Sequence, residues 1–357
     1  MKKIATIFAS LLSIAVVVVF TQRSELATRL LPRAMELSLS NDKIKQLGEG
    51  LHILLCGAGG PMPAPTRSGP CIAVVAAGKL FLVDAGSNGI RNLGRMQYPL
   101  DDINGIFLTH FHSDHIDGLG EIATLRWVAG NHTAPLDVYG PEGVVDVVDG
   151  FNAAYGQDTR YRYDHHGSTI APPTGSGMRA VTFVAPADTQ LVTVFEENGL
   201  TVQMLRVNHF PVDPAVGYLF RYRGRTALIS GDTIKSDNLQ YFAQNVDLLV
   251  HEALSKKLVA AMRQGALAAG NLPLARLFDD IPDYHTTPVE AAEIARDAGV
   301  GHLLFYHIVP PLILPGSEAA WLAGVEAVFA DFTLGRDGLG ISLPADSKDI
   351  IVLPSTL

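Results

Sequence analysis

Three histidines and one aspartate occupy six consecutive positions, in the run HFHSDH that ends at His115. His110 and His112 follow residues 103–109, a short apolar run with the pattern of a strand. Side chains two positions apart on a strand point the same way, and a turn into the next helix brings Asp114 and His115 into the same space. Burying such a cluster is costly without a metal ion, and imidazole and carboxylate are the ligand types of zinc. The sequence therefore predicts a metal site here.

Four more polar residues stand at the ends of predicted strands: Asp84, His209, Asp232 and His307. Taken alone, His209 or His307 is better explained as a hydrogen-bonded structural histidine. Asp232 is less ambiguous, because its Gly-Asp-Thr context follows an apolar strand.

The order of predicted elements favours an α/β fold in which helices cover paired sheets. No linker divides the body, so we expect a single domain over residues 48–345, after a connector over 23–47 and before a short tail over 346–357. Residues 156–190 are rich in Gly, Pro, Tyr and His and are predicted to form an irregular insertion or long loop.

Two segments in the second half of the chain have helical patterns. Residues 255–280 are rich in alanine and leucine. Thr287 and Glu290 form a capping-box pattern with Pro288 between them, which predicts a helix from Pro288 to about residue 298.

The N-terminus has the layout of a targeting segment. Lys2 and Lys3 precede an uncharged run over residues 4–20, whose 17 residues lie at the lower limit for a membrane-spanning helix. Residues 1–22 are therefore predicted to be a signal peptide or an uncleaved membrane anchor. Either reading predicts an exported, periplasmic protein, attached to the inner membrane if the segment is retained.

The charge disfavours extensive nucleic-acid binding. The formal net charge is −9; residues 1–36 contribute +3, which leaves −12 for the rest of the chain. An acidic body does not attract a polyanion over a broad surface, although a local basic pocket remains compatible with this charge.

Cys56 and Cys71 are the two cysteines of the chain, and they lie near the two arms of a predicted hairpin. A disulfide and a pair of buried free thiols are both compatible with the sequence, since sequence alone does not give their separation. Neither cysteine has the pattern of a metal ligand.

The ordered series of these motifs resembles the metallo-β-lactamase fold superfamily over about residues 48–345. The resemblance implies a four-layer αββα sandwich and two divalent metal ions, zinc by default, with manganese or iron also fitting. It implies one metal bound by His110, His112 and His209, a second bound by Asp114, His115 and His307, and Asp232 as the bridge between them. Asp84 resembles a residue that supports the site without binding metal.

Further motifs resemble one branch of that superfamily, the group of ribonuclease Z, arylsulfatases and small phosphodiesterases. They are the bridging Asp232, the run GAGGP over residues 57–61, Glu252 in His-Glu-Ala, and His285. The resemblance implies that Asp114 orients the attacking hydroxide or acts as a base, and that Glu252 and His285 assist the leaving group. The alternatives are that Glu252 anchors a loop and that His285 caps a helix.

These motifs predict a binuclear hydrolase of a small anionic ester, either a phosphodiester or an aryl sulfate, attacked by a hydroxide that bridges the metals. The alternatives are a transfer-RNA 3′-processing endoribonuclease, which the export signal and the acidic body disfavour, and a lactonase or carboxyl esterase. The complete ligand set disfavours a non-catalytic metal-binding protein. The expected partners are the ester and a membrane to which residues 4–20 anchor the protein. A second copy of the chain is also expected, because dimers are common in the group that the sequence resembles.

Overall fold

The computed structural model describes residues 23–357, so the predicted targeting segment lies outside the described residues. The described chain divides into two units between Lys43 and Ile44. In the first unit, helix α1 (Arg23–Leu39) buries none of its side chains. Within residues 23–357, no helix combines the length and the apolar character needed to cross a membrane.

Two sheets form the centre of the second unit, and each contains a parallel part. The first sheet has the strand order β15-β14-β1-β2-β3-β4-β5-β6, with parallel pairing from β3 to β6. Its strands are β1 (Gly50–Gly57), β2 (Cys71–Ala76), β3 (Lys79–Val83), β4 (Ile103–Phe107), β5 (Leu136–Gly140), β6 (Met178–Thr182), β14 (Gly340–Pro344) and β15 (Ile351–Leu353).

The second sheet has the order β13-β12-β11-β10-β9-β8-β7, with parallel pairing from β10 to β13. Its strands are β7 (Val192–Glu197), β8 (Leu200–Arg206), β9 (Val216–Tyr222), β10 (Arg225–Ile229), β11 (Leu248–Leu254), β12 (His302–Val309) and β13 (Phe332–Leu334).

Helices connect the strands and cover the outer faces of both sheets. They are α2 (Lys43–Gln46), α3 (Gly89–Arg95), α4 (Ser113–Ile116), α5 (Leu119–Gly130), α6 (Val144–His166), α7 (Asp237–Phe242), α8 (Lys256–Ala268), α9 (Leu272–Asp280), α10 (Pro288–Asp297), α11 (Ser317–Trp321) and α12 (Val325–Val328).

Alternation of side chains along the strands separates the core into layers. On β1, Leu51, Ile53 and Leu55 belong to the core between the sheets, whereas Leu54 and Cys56 belong to the core under the first set of helices. Since successive residues of a strand face opposite sides, one fully buried strand serves both layers. The second sheet repeats this arrangement, with its outer face packed against α10. The predicted four-layer αββα sandwich is confirmed.

The predicted irregular insertion is partly wrong, because α6 continues to His166. Two ion pairs spaced four residues apart, Arg162 with Asp158 and Arg160 with Asp164, support the exposed side of this helix. Gly156 faces open space, so its lack of a side chain costs only helix propensity, about 1 kcal/mol. The glycine and the run of polar and aromatic residues hid the helix from sequence inspection.

The two helical segments predicted in the second half of the chain are present. The capping box at Thr287 is present, and α10 begins at Pro288 as predicted. The helical stretch after β11 is divided into α8 and α9 by a turn at Gly270. The sequence predicts a tail after residue 345, whereas the structure pairs β15 with β14, so the sheet extends almost to the end of the chain.

Cys56 and Cys71 form a disulfide, with Cα atoms 5.0 Å apart and both side chains buried. The bond closes the Gly- and Pro-rich loop between β1 and β2. It decides between the two arrangements that the sequence leaves open.

Candidate metal centre

The predicted site residues lie at one edge of the sandwich because several strands end there. Strands β8, β10, β11 and β12 run in one direction, since β8 and β10 are both antiparallel to β9 and the last three are mutually parallel. Their carboxyl ends carry His209, Asp232, Glu252 and His307. In the first sheet, the parallel strands β3 and β4 likewise end in the segments that hold Asp84 and the histidine cluster.

The first group of donor atoms comes from His110, His112, His209 and Asp232. His112 Nδ1 lies 3.0 Å from His110 Nε2 and 3.4 Å from His209 Nε2. Asp232 Oδ2 lies 3.9 Å from the Nε2 atoms of both His110 and His209. Four donor atoms from three chain segments therefore lie close together.

The second group comes from Asp114, His115 and His307, and Asp232 closes it. Asp232 Oδ2 is 3.4 Å from His115 Nε2 and 3.3 Å from His307 Nε2. Asp114 Oδ2 is 3.6 Å from His115 Nε2 and 3.3 Å from His307 Nε2. Because Asp232 Oδ2 belongs to both groups, it lies where a bridging ligand between two ions would lie.

The donor set fits a pair of divalent cations. Ligand atoms around a tetrahedral zinc ion stand about 3.3 Å apart, given bonds of roughly 2.0–2.1 Å, and the spacings in both groups centre on that value. His115 Nε2 and Asp232 Oδ1 are buried and have no hydrogen-bond partner. Buried polar atoms without partners are costly, and a cation between them would satisfy them.

The Asp84 carboxylate holds the residues next to the metal groups in place through hydrogen bonds. Its carboxylate accepts hydrogen bonds from the Thr109 backbone N–H at 2.9 Å, from Thr109 Oγ1 at 2.9 Å and from His115 Nδ1 at 2.8 Å. A proton on His115 Nδ1 leaves the lone pair of Nε2 for a metal. Similarly, His209 Nδ1 donates to the backbone carbonyl of Tyr284 at 2.8 Å, which leaves Nε2 facing the site.

Two of these residues have backbone conformations that most amino acids avoid. Asp84 has φ 60° and His307 has φ 44°. His307 is the extra residue of a β-bulge, since Tyr306 pairs with Glu252 and Ile308 pairs with Ala253. The bulge turns the imidazole out of the pleat and toward the site, and the surrounding sheet holds the strained conformation.

The electrostatics of the site favour cations. Burial raises the pKa of Asp232, but His307 and His115 hold that pKa well below its ordinary value, so the carboxyl is ionised. Burial lowers the pKa of His209 to about 4 and that of His110 well below its ordinary value, so both rings are neutral. An ionised Asp232 beside neutral His110 and His209 rings is the combination that metal binding requires. Burial lowers the pKa of His115, but Asp232 and Asp84 outweigh it and raise that pKa well above its ordinary value, so a metal ion there would displace a proton.

Glu252 and His285 form a pair beside this centre. Glu252 is fully buried, its Oε1 accepts from the Thr286 backbone N–H at 2.9 Å, and its Oε2 lies 3.2 Å from His285 Nδ1. The His285 ring lies next to those of His209 and His307, with centroids 5.3 and 5.5 Å away. Burial lowers the pKa of His285, but Glu252 more than offsets it and raises that pKa above its ordinary value.

The structure brings together the nine residues that the sequence nominated: His110, His112, Asp114, His115, His209, Asp232, Glu252, His285 and His307. Their roles as ligands or catalysts stay predictions. One arrangement was not anticipated, because His285 also lies close enough to Asp232 and His307 to share a metal with them.

Sequence reasoning missed two supporting groups, the Thr109 hydroxyl and the Tyr284 carbonyl. Thr109 directly precedes the histidine cluster, so its position was a usable signal. A backbone carbonyl has no residue-specific signal, and only the fold reveals it.

Comparison with known proteins places these residues in context. The sequence model of the Metallo-beta-lactamase superfamily matches residues 64–307. Ribonuclease Z from Mycobacterium marinum is 33% identical over 290 residues, which cover 80% of this chain and 96% of that protein.

Two solved structures resemble the fold. The short form of human tRNase Z has a TM-score of 0.57 at 21% identity, over 82% of this chain and 99% of that one. Zn²⁺-bound PqqB from Methylobacterium extorquens has a TM-score of 0.50 at 17% identity, over 82% of this chain and 100% of that one. At these identities, the likeness concerns the fold alone.

Replacing Asp84 by asparagine tests whether the hydrogen bond between Asp84 and His115 supports metal binding. The amide side chain would retain the left-handed backbone but lose the charge that fixes the His115 tautomer. We expect affinity for the second metal ion to fall roughly 10- to 100-fold. Competition with a chromophoric zinc chelator on the full chain measures this.

Asp146→Asn, a change of an exposed carboxylate on α6, is the matched control and should leave both affinities unchanged. Zinc affinities in Asp84→Asn equal to those of the wild type would show that Asp84 does not support the metal centre.

Proposed function

The chain belongs to the metallo-beta-lactamase superfamily, in its ribonuclease Z-like branch, and from that premise we propose that it is a two-metal phosphodiesterase. The observation that carries this proposal is a shared carboxylate, Asp232, between two His/Asp groups, with the Glu252–His285 pair beside them. A centre of this kind suits an ester that has an anionic reacting group and a leaving oxygen that must gain a proton.

In this proposal, some of the site residues bind metal ions and others transfer a proton. His110, His112, His209 and Asp232 would hold one ion, and Asp114, His115, His307 and Asp232 would hold the other. When bound, two such ions polarise the phosphoryl oxygens and supply a water nucleophile at neutral pH. Zinc fits the nitrogen-rich donor set, and the Zn²⁺-bound PqqB structure shares the fold.

Asp114 and His285 act on protons in this proposal. Asp114 points one carboxylate oxygen at the second group and accepts the proton of the nucleophile. Glu252 Oε2 lies 3.2 Å from His285 Nδ1 and would orient the ring, so that Nε2 donates to the departing oxygen. The two backbone N–H groups that Glu252 accepts, from Thr286 and Thr233, keep this carboxylate from turning.

Two classes of phosphodiester are candidates. The Mycobacterium marinum relative is named Ribonuclease Z, and this name supports transfer-RNA 3′ processing. That candidate is therefore better supported than the small ester that the sequence alone favours. The acidic chain supports a small ester instead: its net charge is −9, and the cations Arg206 and Lys235 are paired with Asp213 and Glu293. An RNA-binding surface needs unopposed basic groups along the phosphate backbone.

A substrate panel on the zinc-loaded full chain separates these candidates. Bis(p-nitrophenyl) phosphate, an aryl sulfate, a lactone, nitrocefin and a precursor transfer RNA are compared by kcat/KM. We expect the phosphate diester to be turned over and nitrocefin to be inert. A chain that binds two zinc ions yet hydrolyses neither the phosphate diester nor the RNA would refute the proposed activity.

His285→Gln tests the proton donor. We expect kcat to fall about 10²- to 10⁴-fold while the protein still binds two zinc ions. The loss should be larger for an alkoxide leaving group than for p-nitrophenolate, because a good leaving group needs little protonation. His165→Gln, on the exposed end of α6, is the matched control.

Equal losses for good and poor leaving groups would assign His285 a structural role. Loss of one zinc ion in His285→Gln would instead make it a ligand, the arrangement that its distance to Asp232 and His307 also permits.

We also propose that the protein is exported. The basic and apolar layout of residues 1–20 supports this, and the Cys56–Cys71 disulfide suits an oxidising compartment. Fractionation of cells that express the full chain should place it in the periplasm or inner membrane, without free thiols. Reduction should lower the free energy of unfolding by about 3 kcal/mol, a typical value for a loop of this size. Cytoplasmic protein with two reactive thiols would exclude export.

A further inference from the structure

An apolar groove opens beside the metal centre, on the side of His307. It encloses about 570 Å³, and every residue that lines it is apolar except Ser317. Several of these side chains contact solvent, with exposed fractions of 37% for Met262, 64% for Ile313 and 70% for Leu314. Exposed apolar surface concentrated in a concave site is typical of a ligand-binding groove.

Each of the three chain segments that line this groove continues from a residue at or beside the metal centre. Pro310 and Leu314 continue the chain from His307 at the end of β12. Met62 follows Gly60 by two residues, and a side chain at Gly60 would meet the His307 ring at 3.0 Å and Val309 at 2.9 Å. Gly60 therefore lies against the His307 ring, two residues before Met62, which lines the groove.

The third segment is the helical pair α8 and α9, which leads into His285. Phe278 and Val259 of this pair pack in one cluster with Leu254 of β11 and Val309 of β12. Val309 is two residues from His307, so their Cα atoms are within about 7.6 Å of each other. The groove is thus fixed to the strands that carry the catalytic groups.

A second cavity, which His209 itself lines, has a different character. It encloses about 400 Å³ and is lined by polar and charged side chains that include Arg206, Asn208 and Lys235. An ester bound at the metals would therefore have one arm in polar surroundings and one arm along apolar surroundings.

We propose that the groove binds a hydrocarbon arm of the ester, so that the substrate is an amphipathic phosphodiester. This inference rests on the proposed phosphodiester hydrolysis and names its substrate class. An unbranched alkyl chain matches a lining without charges. An RNA strand has no apolar arm of this kind, so the groove favours the small-ester candidate.

Two chromogenic esters with the same reacting phosphorus and leaving group test the proposal. Methyl p-nitrophenyl phosphate and octyl p-nitrophenyl phosphate are compared on the zinc-loaded full chain, with the octyl ester below its micellar concentration. Each buried methylene strengthens binding about fourfold. Burial of three of them predicts an octyl-to-methyl ratio of kcat/KM on the order of 50.

Ile313→Asp and Leu314→Asp place a charge in the groove at exposed positions, where folding tolerates it. We expect both variants to reduce the octyl-to-methyl ratio to below about 5, since an alkyl chain avoids a carboxylate. Val184→Asp, at an equally exposed apolar residue (70%) outside the groove, is the control and should retain the wild-type ratio.

Titration calorimetry with octylphosphonate and methylphosphonate gives a readout independent of turnover. The wild-type chain should bind octylphosphonate on the order of 50-fold more tightly, with a negative heat-capacity change from apolar burial. A chain that hydrolyses both esters equally and binds both phosphonates equally would refute the groove but not the phosphodiesterase. A chain without turnover that still prefers octylphosphonate would refute the phosphodiesterase but not the groove.

Sedimentation with phosphatidylcholine/phosphatidylglycerol vesicles distinguishes a membrane contact from a substrate subsite. If the aspartate variants lost vesicle binding and kept the wild-type octyl-to-methyl ratio, the groove would be a bilayer contact, and the substrate proposal would be wrong.

Discussion

Four carboxyl groups lie almost without solvent contact at the edge where the two sheets meet: Asp84, Asp114, Asp232 and Glu252. A buried charge is tolerated only when hydrogen-bonding or charged partners surround it. Each carboxylate here has its own kind of partner. Asp84 accepts three hydrogen bonds, Glu252 accepts backbone N–H groups and faces His285, and Asp114 and Asp232 face imidazoles. The parallel parts of both sheets, which aim their carboxyl ends at this edge, provide these partners together.

This constraint accounts for two of the left-handed backbones in the described chain, those of Asp84 and His307. The left-handed backbones of Asp84 and His307 each disfavour folding locally, and both residues face the metal groups. The inter-sheet core on either side is fully buried and apolar, so it supplies the stability that holds these conformations. The rigid strands and the strained backbones at their ends both bring charged groups from the two sheets together.

Much of this architecture is legible in the sequence, since the relevant signals are local. The HxHxDH run, the strand-end His and Asp residues and the capping box at Thr287 each combine residue type with spacing. The extent of α6 was not legible, because the ion pairs that support it compete with glycine and aromatic residues that suggest a loop. The Tyr284 carbonyl, the bulge at His307 and the apolar groove depend on contacts between distant segments, and no local pattern encodes them.

Hydrogen bonds hold the two ends of the α8–α9 segment together where the chain leaves β11 and returns before α10. The Leu254 backbone N–H donates to the Thr286 carbonyl at 2.8 Å, the Ser255 N–H donates to the Val309 carbonyl at 2.9 Å, and Thr286 donates to Glu252. These three hydrogen bonds hold the segments that carry Glu252 and His285 together, and none of them involves residues 256–283. Because closure entropy grows only slowly with length, insertions at the exposed turn at Gly270 should cost little, whereas the buried Val259 and Phe278 fix the packing of both helices. The outer turn of this helical pair can therefore vary without disturbing the hydrogen bonds around Glu252.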